Sequence, residues 1–198
     1  LKPHGSLFLN MAGSPSKPLL PHQLLLELVP NLFELQNTFH WIKSVTVPLP
    51  NGKTLSPGRF KPINSRRFVN DCHEYLFHLT KTGKVPLNRL GVGVPYTDCS
   101  NAKRWKSSGG KNRRCRGNNW FVPYPNAQNK PHPASFPVEL ASMCIQITAS
   151  KSHEITMLDP FLGIGSSAIA AQNHGIEKFI GFEIDYGYMR FARKSLLG

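Results

Sequence analysis

Residues 155–171 read Ile155-Thr-Met-Leu-Asp-Pro-Phe-Leu-Gly-Ile-Gly-Ser-Ser-Ala-Ile-Ala-Ala171, and residues 179–185 read Phe179-Ile-Gly-Phe-Glu-Ile-Asp185. This pattern predicts an apolar strand, a glycine loop, a helix of small residues and a second strand that ends in an acid. The order is typical of the first half of an α/β nucleoside-binding site. Such a unit normally opens a domain, yet here only thirteen residues follow Asp185.

The glycine loop alone leaves the ligand open. Gly163-Ile-Gly165-Ser-Ser-Ala168 matches the G-x-G-x-x-A pattern of dinucleotide-binding proteins, and Glu183 lies where a ribose-binding acid is expected. In that interpretation the N-terminus of the following helix holds a pyrophosphate. A packed strand–helix corner without any ligand fits the same spacing.

The residues around the loop favour a different ligand. Asp159 and Pro160 place a carboxylate and a rigid turn at the end of the first strand. A carboxylate there would repel a pyrophosphate but attract the ammonium group of an amino acid. Gly163 and Gly165 allow close backbone approach, and Glu183 can accept both ribose hydroxyls. Together these features suit S-adenosylmethionine, a cationic nucleoside joined to an amino acid.

The composition indicates a globular protein with a polyanionic partner. Hydrophobic residues make up 40% of the 198 residues, which excludes disorder throughout the chain. Twenty-four Lys and Arg against eleven Asp and Glu give a net charge of +13. An excess of this size points most often to nucleic acid, and a basic surface that binds nothing is the alternative.

The cysteine positions and the hydropathy of the chain argue against a metal-binding protein and a membrane protein. The four cysteines, at 72, 99, 115 and 144, form no C-x-x-C pair and have no matching histidine cluster, so we expect small packed side chains and no metal site. Reduced thiols fit a cytoplasmic protein, associated with the nucleoid if the source is prokaryotic. No apolar run approaches eighteen residues, and no membrane span is expected.

One segment concentrates the positive charge. Between Asn101 and Gly117 there is no acid, and Trp105 lies among seven cations, namely Lys103, Arg104, Lys106, Lys111, Arg113, Arg114 and Arg116. The segment lacks a clear period, so an irregular loop is predicted. Interleaved aromatic and basic residues favour phosphate contact, with a solvated charged face as the alternative.

The remaining periodicity predicts alternating strands and helices. Strands are expected at 5–11, 33–47 and 72–80, and helices at 21–29, 140–148, 166–174 and 186–197. Gly175 closes the third helix.

Additional motifs identify a family resemblance. His132-Pro-Ala-Ser-Phe-Pro137 precedes Asp159 by twenty-seven residues, and the HP-x-x-FP to DPF-x-G-x-G combination is specific. With it the chain resembles the amino-directed DNA methyltransferases, in the permuted arrangement that places the cofactor half last. The resemblance covers nearly the whole chain, since GSLFLNM at 5–11, HEYLFHLTK at 73–81 and WFVPY at 120–124 are also similar to family segments.

The resemblance implies an α/β fold, a Rossmann-like S-adenosylmethionine-dependent methyltransferase sheet with helices on both faces. One domain over 1–198 would comprise catalytic-half strands at 1–82, a basic DNA-contact loop at 83–119 and a cofactor-binding half at 120–198. The family's catalytic Asp/Ser/Asn-Pro-Pro-Tyr is absent, and Val94-Pro-Tyr and Val122-Pro-Tyr lack its first proline and polar leader. We therefore expect the sheet to be incomplete, with the missing strand supplied by upstream residues or a second chain.

The resemblance also assigns roles to individual residues. Cofactor binding falls to His132, Pro133, Phe136, Asp159, Phe161, Gly163, Gly165, Glu183 and Asn10. For Phe161, packing on the adenine and filling the core are both open, and for Asn10 a core or turn role is equally open. Arg66 and Arg67 lie on a loop that in the family often reaches DNA, with ordinary surface charge as the alternative, and the cations at 103–116 are the main candidates for DNA contact.

The implied activity is methyl transfer from S-adenosylmethionine to the exocyclic amine of a flipped base in double-stranded DNA, without a metal. HPASFP looks more like the cytosine-N4 members, whereas adenine-N6 members remain the alternative; Ser167 stands where threonine is common. A non-catalytic cofactor- and DNA-binding subunit, an RNA amino-methyltransferase and an NAD-dependent oxidoreductase are the rival interpretations.

Overall fold

The computed structural model describes residues 1–29, 31–44, 47–48, 51–52, 54–55, 65–96, 112–123 and 135–197. These residues form two compact units, one from residues 1–86 with 116–123 and the other from residues 87–115 with 124–198. None of the described helices is long and apolar enough to cross a membrane.

In its described residues the first unit contains a four-stranded sheet, one helix and a short hairpin. Its elements are β1 (Ser6–Met11), α1 (Leu20–Leu28), β2 (Glu34–Ser44), β3 (Val47–Pro48), β4 (Thr54–Leu55), β5 (His73–Thr80) and β6 (Asn119–Pro123). The sheet order is β1-β5-β2-β6, while β3 and β4 pair only with each other among the described residues. β5 is antiparallel to both of its neighbours, and β6 runs parallel to β2.

Strand β6 joins the first unit, although the sequence placed Trp120 with the cofactor-binding half. Trp41 lies opposite Trp120 in the parallel ladder, and the Trp41 indole nitrogen donates a 2.9 Å hydrogen bond to the Val122 carbonyl. Phe39 packs against the Trp120 ring at 4.4 Å between centroids. Burial of these large aromatic side chains explains why β6 pairs here.

One face of this sheet packs against α1. Proline at the start of α1 presets the helical backbone angle without costing an internal hydrogen bond. Leu25 of the helix contacts Phe77 and Leu79 of β5, and partly buried leucines of β1 surround this cluster. The alternation of β5 thus places one set of side chains under the helix and the other on the opposite face.

A buried polar network crosses three strands of the sheet. His78 is 0% exposed, and its Nδ1 lies 3.1 Å from the Asn37 side-chain nitrogen while its Nε2 lies 2.9 Å from the Ser6 hydroxyl. Because the amide nitrogen can only donate, Nδ1 accepts and Nε2 carries the hydrogen. Phe8 stacks on the ring at 4.7 Å, and burial lowers the pKa of His78 to about 4.

The second unit contains α2 (Val138–Ile147), a short 3₁₀ turn (Ser152–Glu154), β7 (Thr156–Asp159), α3 (Ser166–Asn173), β8 (Lys178–Gly181) and α4 (Tyr186–Leu197). β7 and β8 are parallel, with Asp159 opposite Gly181, and pair with no other strand in the described part of the chain. Leu162, Ala168 and Ala192 form a buried hydrophobic cluster in this unit. The predicted strand–loop–helix–strand order at 155–185 is confirmed.

Candidate functional site

The glycine loop between β7 and α3 depends on two left-handed residues. Gly163 has φ +57° and Gly165 has φ +89°, a region that side chains disfavour. A Cβ on Gly165 would also lie 3.0 Å from the Ala192 Cβ, whereas a Cβ on Gly163 would meet nothing closer than 4.0 Å. Gly165 is therefore required by conformation and packing, and Gly163 by conformation alone.

Glu183, the acid after β8, is hydrogen-bonded to this loop. Glu183 Oε2 accepts a 2.6 Å hydrogen bond from the Gly163 N–H, and Oε1 accepts a 2.9 Å bond from the Asp185 N–H. Two backbone hydrogen bonds, from the Phe182 N–H to the Asp159 carbonyl and from the Leu162 N–H to the Phe182 carbonyl, also join the segments that follow β7 and β8. Each carboxylate oxygen keeps lone-pair capacity for another donor.

The carboxylate of Asp159 is oriented by two donors. Its Oδ1 accepts a 2.9 Å bond from the Phe161 N–H, and its Oδ2 accepts the Ser167 hydroxyl. Ser167 is buried, so this contact is protected from water. The Ser167 hydroxyl thereby fills the role that a threonine hydroxyl could fill at the same position.

The segment before α2 is held against the start of α3. Ser166, buried at the first turn of α3, donates a 2.8 Å hydrogen bond to the Phe136 carbonyl. Phe136 therefore lies beside the glycine loop. His132 and Pro133, the other members of that motif, lie outside the described residues.

A cavity of about 690 Å³ opens between these segments. Residues 160–164 and Ser166 form one wall, residues 182–184 a second, and residues 135–136 a third. The lining is mostly apolar, with Glu183, Ser135, Ser166 and the loop backbone as its polar groups, a composition typical of small-molecule sites.

Apolar side chains stand exposed around Glu183. Phe161 is 85% exposed, so the alternative that it fills the core is wrong. Phe182 and Ile184, which flank the acid, are 59% and 101% exposed and also line the cavity. The sequence did not single out these two residues, although apolar side chains directly beside an acid outside a strand were a usable signal.

Three other predicted residues, Asn10, Arg66 and Arg67, belong to the first unit. The Asn10 side chain donates a 3.1 Å hydrogen bond to the Tyr75 carbonyl of the neighbouring strand. Arg66 and Arg67 are exposed, and the Arg67 guanidinium lies 5.1 Å from the Phe68 ring centre.

The basic segment is described only at its C-terminal end. Arg113 and Arg114 are exposed and Arg116 is partly buried. Lys103, Arg104, Lys106 and Lys111 lie outside the described residues. Within the described part of the chain, no three His, Cys, Asp or Glu side chains group closely enough to hold a metal ion.

Known proteins share both the sequence pattern and the fold. The family model N6_N4_Mtase, described as DNA methylase, matches residues 1–194. The Type II methyltransferase M.BglI of Bacillus subtilis is 32% identical over 77 residues, which cover 39% of this chain and 21% of that protein.

Among solved structures, the cytosine-N4-specific PvuII DNA methyltransferase superposes with a TM-score of 0.68 at 19% identity. That match covers 98% of this chain but 64% of the PvuII enzyme, so the chain spans less than two thirds of it. M1.HpyAVI, solved as a complex with S-adenosylmethionine, gives a TM-score of 0.59 at 21% identity over 98% of this chain and 76% of that one.

These structures confirm the mixed α/β, Rossmann-like fold class expected from the sequence. The family match extends over almost every residue of the chain, including both strands and the glycine loop of the cavity. The chain therefore belongs to the DNA methylase family that modifies N6 and N4 amino groups.

Proposed function

We propose that this chain binds S-adenosylmethionine, the cofactor of the family, in the cavity beside Glu183. We further propose that it takes part in transferring a methyl group to the exocyclic amine of a flipped base in double-stranded DNA, with cytosine N4 as the favoured target. The observation that carries the proposal is the Glu183 carboxylate, which lines an apolar cavity and is held at the glycine loop by the Gly163 N–H.

The residues present fit this cofactor. Glu183 has lone pairs left for two ribose hydroxyls, because each oxygen already accepts only one backbone N–H. The exposed rings of Phe161 and Phe182 and the side chain of Ile184 offer apolar surfaces for a flat adenine. The oriented Asp159 carboxylate offers the charge that an ammonium group would need nearby.

When bound, S-adenosylmethionine supplies a methyl group activated by its sulfonium. The chain's own contribution is to hold the cofactor and to exclude water from its apolar wall, which raises the strength of the polar contacts made there. The 198 residues contain no Pro-Pro-Tyr string. We therefore assign none of the described residues to activation of the target amine.

Two features support DNA as the substrate and cytosine as the base. The charge of +13 suits a polyanion, and Arg66, Arg67 and Arg114 are exposed among the described cations. HPASFP resembles the cytosine-N4 members, and the structurally similar PvuII enzyme is cytosine-N4-specific. Adenine N6 is the second candidate target. We also propose that the protein acts in the cytoplasm, the location predicted from the sequence.

A cofactor- and DNA-binding subunit that works with a second chain is the competing proposal, favoured by the absence of Pro-Pro-Tyr from the sequence. Both proposals predict the same cofactor site but differ in turnover.

Calorimetry tests the cofactor, with S-adenosylmethionine, S-adenosylhomocysteine and NAD titrated in parallel. Heat from the two S-adenosyl compounds and none from NAD supports the site, and preferential NAD binding would overturn it. Transfer from methyl-labelled cofactor to duplex DNA, followed by mass spectrometry of the nucleosides, separates N4-methylcytosine from N6-methyladenine. Cofactor binding without methyl transfer favours the non-catalytic subunit. Competition by RNA for methyl transfer would instead indicate an RNA amino-methyltransferase.

A further inference from the structure

The Glu183 carboxylate is held by one backbone N–H on each oxygen, and the two donors come from different segments. The Gly163 N–H belongs to the glycine loop, whereas the Asp185 N–H belongs to the residue directly before α4. A carboxylate held on one oxygen alone can still turn about its side-chain bonds, so the second donor restricts its orientation. The position of residue 185 therefore bears directly on the acid of the cavity.

Asp185 caps the N-terminus of α4. Its Oδ1 accepts a 2.8 Å hydrogen bond from the Tyr188 N–H, and its carbonyl accepts a 3.0 Å bond from the Met189 N–H. In such a cap, a side-chain oxygen satisfies a backbone donor that the helix itself leaves unpaired. The capping bond therefore restrains the backbone at residue 185, and this is the backbone that donates to Glu183.

Gly187 leaves room for this cap. Helices disfavour glycine, yet Gly187 stands in the first turn of α4. A Cβ at residue 187 would lie 3.0 Å from Asp185 Oδ1, closer than side-chain carbons normally come to an oxygen. The capping carboxylate is thus the contact that favours glycine at this position.

Helix α4 is in turn packed on the glycine loop. Ala192 of the helix is buried with Leu162 and Ala168, and Met189 packs against this cluster. A Cβ on Gly165 would lie 3.0 Å from the Ala192 Cβ, which shows how closely the loop and the helix approach each other. Because interiors packed this closely deform little, the cap at the start of α4 is placed by the same loop that supplies the Gly163 N–H.

We infer that Asp185 is a positioning residue for the proposed cofactor site. Its side chain caps α4, and its backbone N–H thereby holds Glu183 in the orientation that accepts two ribose hydroxyls. The inference rests on the proposed function, because the orientation of the acid matters only if a ribose binds beside it. The sequence pattern assigned a ligand role to Glu183 and no role to Asp185.

The first test needs no ligand and measures amide hydrogen exchange at Gly163 by NMR. The Gly163 N–H donates to the carboxylate oxygen that Asp185 does not hold. Asp185→Ala should speed exchange of this amide by about fivefold, the effect of about one hydrogen bond, because the acid turns more freely. Asp185→Asn should restore the wild-type rate, since Asn and Asp cap helices equally well. Unchanged Gly163 exchange in Asp185→Ala overturns the inference whether or not the protein binds a cofactor.

Lys194→Gly is the matched control for a loss of helix stability. Lys194 is exposed in the last turn of α4, and glycine there weakens the helix to a degree similar to loss of a cap. Denaturant unfolding checks that this variant and Asp185→Ala lower the midpoint by similar amounts. Lys194→Gly should leave Gly163 exchange and cofactor affinity at the wild-type values. A loss equal to that of Asp185→Ala would show that helix stability alone controls the site, and would overturn the positioning role.

The second test is calorimetric titration with S-adenosylmethionine. Asp185→Ala should bind about fivefold more weakly, the effect of one hydrogen bond, and Asp185→Asn should stay within about twofold of the wild type. Added to Glu183→Gln, Asp185→Ala should deepen the loss by less than about twofold, because residues that act through one carboxylate are not additive. Losses that multiply would make Asp185 independent of Glu183 and overturn the inference. A wild-type protein that does not bind this compound refutes the proposed cofactor site instead, and the exchange test then decides the link between the two acids.

Discussion

Glu183 accepts a 2.6 Å hydrogen bond from the backbone N–H of Gly163, so the acid after β8 and the loop after β7 form one structure before any ligand is present. Pre-organisation of this kind reduces the entropy that a ligand would otherwise lose on ordering the site. The relationship also makes the carboxylate the most informative position for substitution.

Glu183→Gln should weaken S-adenosylmethionine binding by roughly ten- to a hundredfold, because a hydrogen bond to a charged group contributes about 1.5–3 kcal/mol. The amide keeps one acceptor oxygen but loses the charge and turns two donors toward the loop and the ribose. Calorimetry measures the change. Glu177→Gln, at an exposed position in the same unit, is the matched control and should bind as the wild type does. Equal affinity in both variants would remove Glu183 from the site.

Ser167 should be replaceable by threonine but not by alanine. Alanine removes the hydroxyl that orients Asp159, and we expect cofactor affinity to fall about fivefold, the effect of a hydrogen bond of about 1 kcal/mol. Threonine keeps the hydroxyl, so Ser167→Thr should stay within about twofold of the wild type by that reasoning. The same calorimetric titration, with thermal unfolding as a check on packing, measures both. Equal losses in the two variants would show that buried volume, and not the hydroxyl, matters here.

The buried His78 should make the first unit sensitive to acid. Its pKa is about 4 in the folded protein and 6.5 in the reference state, so the unfolded chain binds the proton more readily between these values. Stability is therefore full above about pH 7 and falls as the pH drops, by about 2 kcal/mol at pH 5. Urea unfolding at several pH values, followed by Trp fluorescence, measures this loss.

His153 provides the control for that experiment. It is exposed, and its replacement by glutamine should leave the acid sensitivity intact. A His78→Asn variant, in contrast, should lose stability at neutral pH but show a flatter dependence between pH 7 and 5. An unchanged slope in that variant would place the acid sensitivity elsewhere.

Alanine substitutions at Gly165 and Gly175 distinguish the energetic cost of backbone strain from that of steric crowding. Both have positive φ, but a Cβ at 165 would press on Ala192 whereas a Cβ at 175 would meet nothing within 4 Å. Gly175→Ala should cost about 1 kcal/mol of unfolding free energy from strain alone. Gly165→Ala adds the clash and should cost at least about 2 kcal/mol more, within the range for overpacking. Denaturant unfolding measures both, and equal costs would show that α4 moves aside freely.

Local patterns in the sequence were sufficient for the second unit. The run of small residues from Ser166 and the closing Gly175 predicted α3, and the apolar spacing after Asp185 predicted α4 with its observed bounds. The acid at 183 was expected to end the second strand, and it lies two residues beyond the end of β8. These features depend on residues close together in the chain, which is why their spacing reveals them.

Long-range pairings were not visible in the sequence. The parallel ladder between β2 and β6 joins residues about eighty positions apart, and the sequence of neither strand indicates which strand it pairs with. The bonds of Ser166 to Phe136 and of Arg113 to Gly91 and Gly93 likewise join segments that no local period connects. A run of cations looks uniform in sequence because composition does not reveal which guanidinium is already bonded.

Helix α2 has one further consequence. Phe136, on the cavity wall, lies just before its first residue, and its last residue, Ile147, accepts a 2.8 Å hydrogen bond from the Asn88 N–H. One ten-residue helix thus connects the cavity wall with the backbone at Asn88 in the same unit. Any energetic linkage between the two places must be reciprocal: if a ligand in the cavity stabilises the backbone at Asn88 by some factor, a change that stabilises this backbone tightens ligand binding by the same factor.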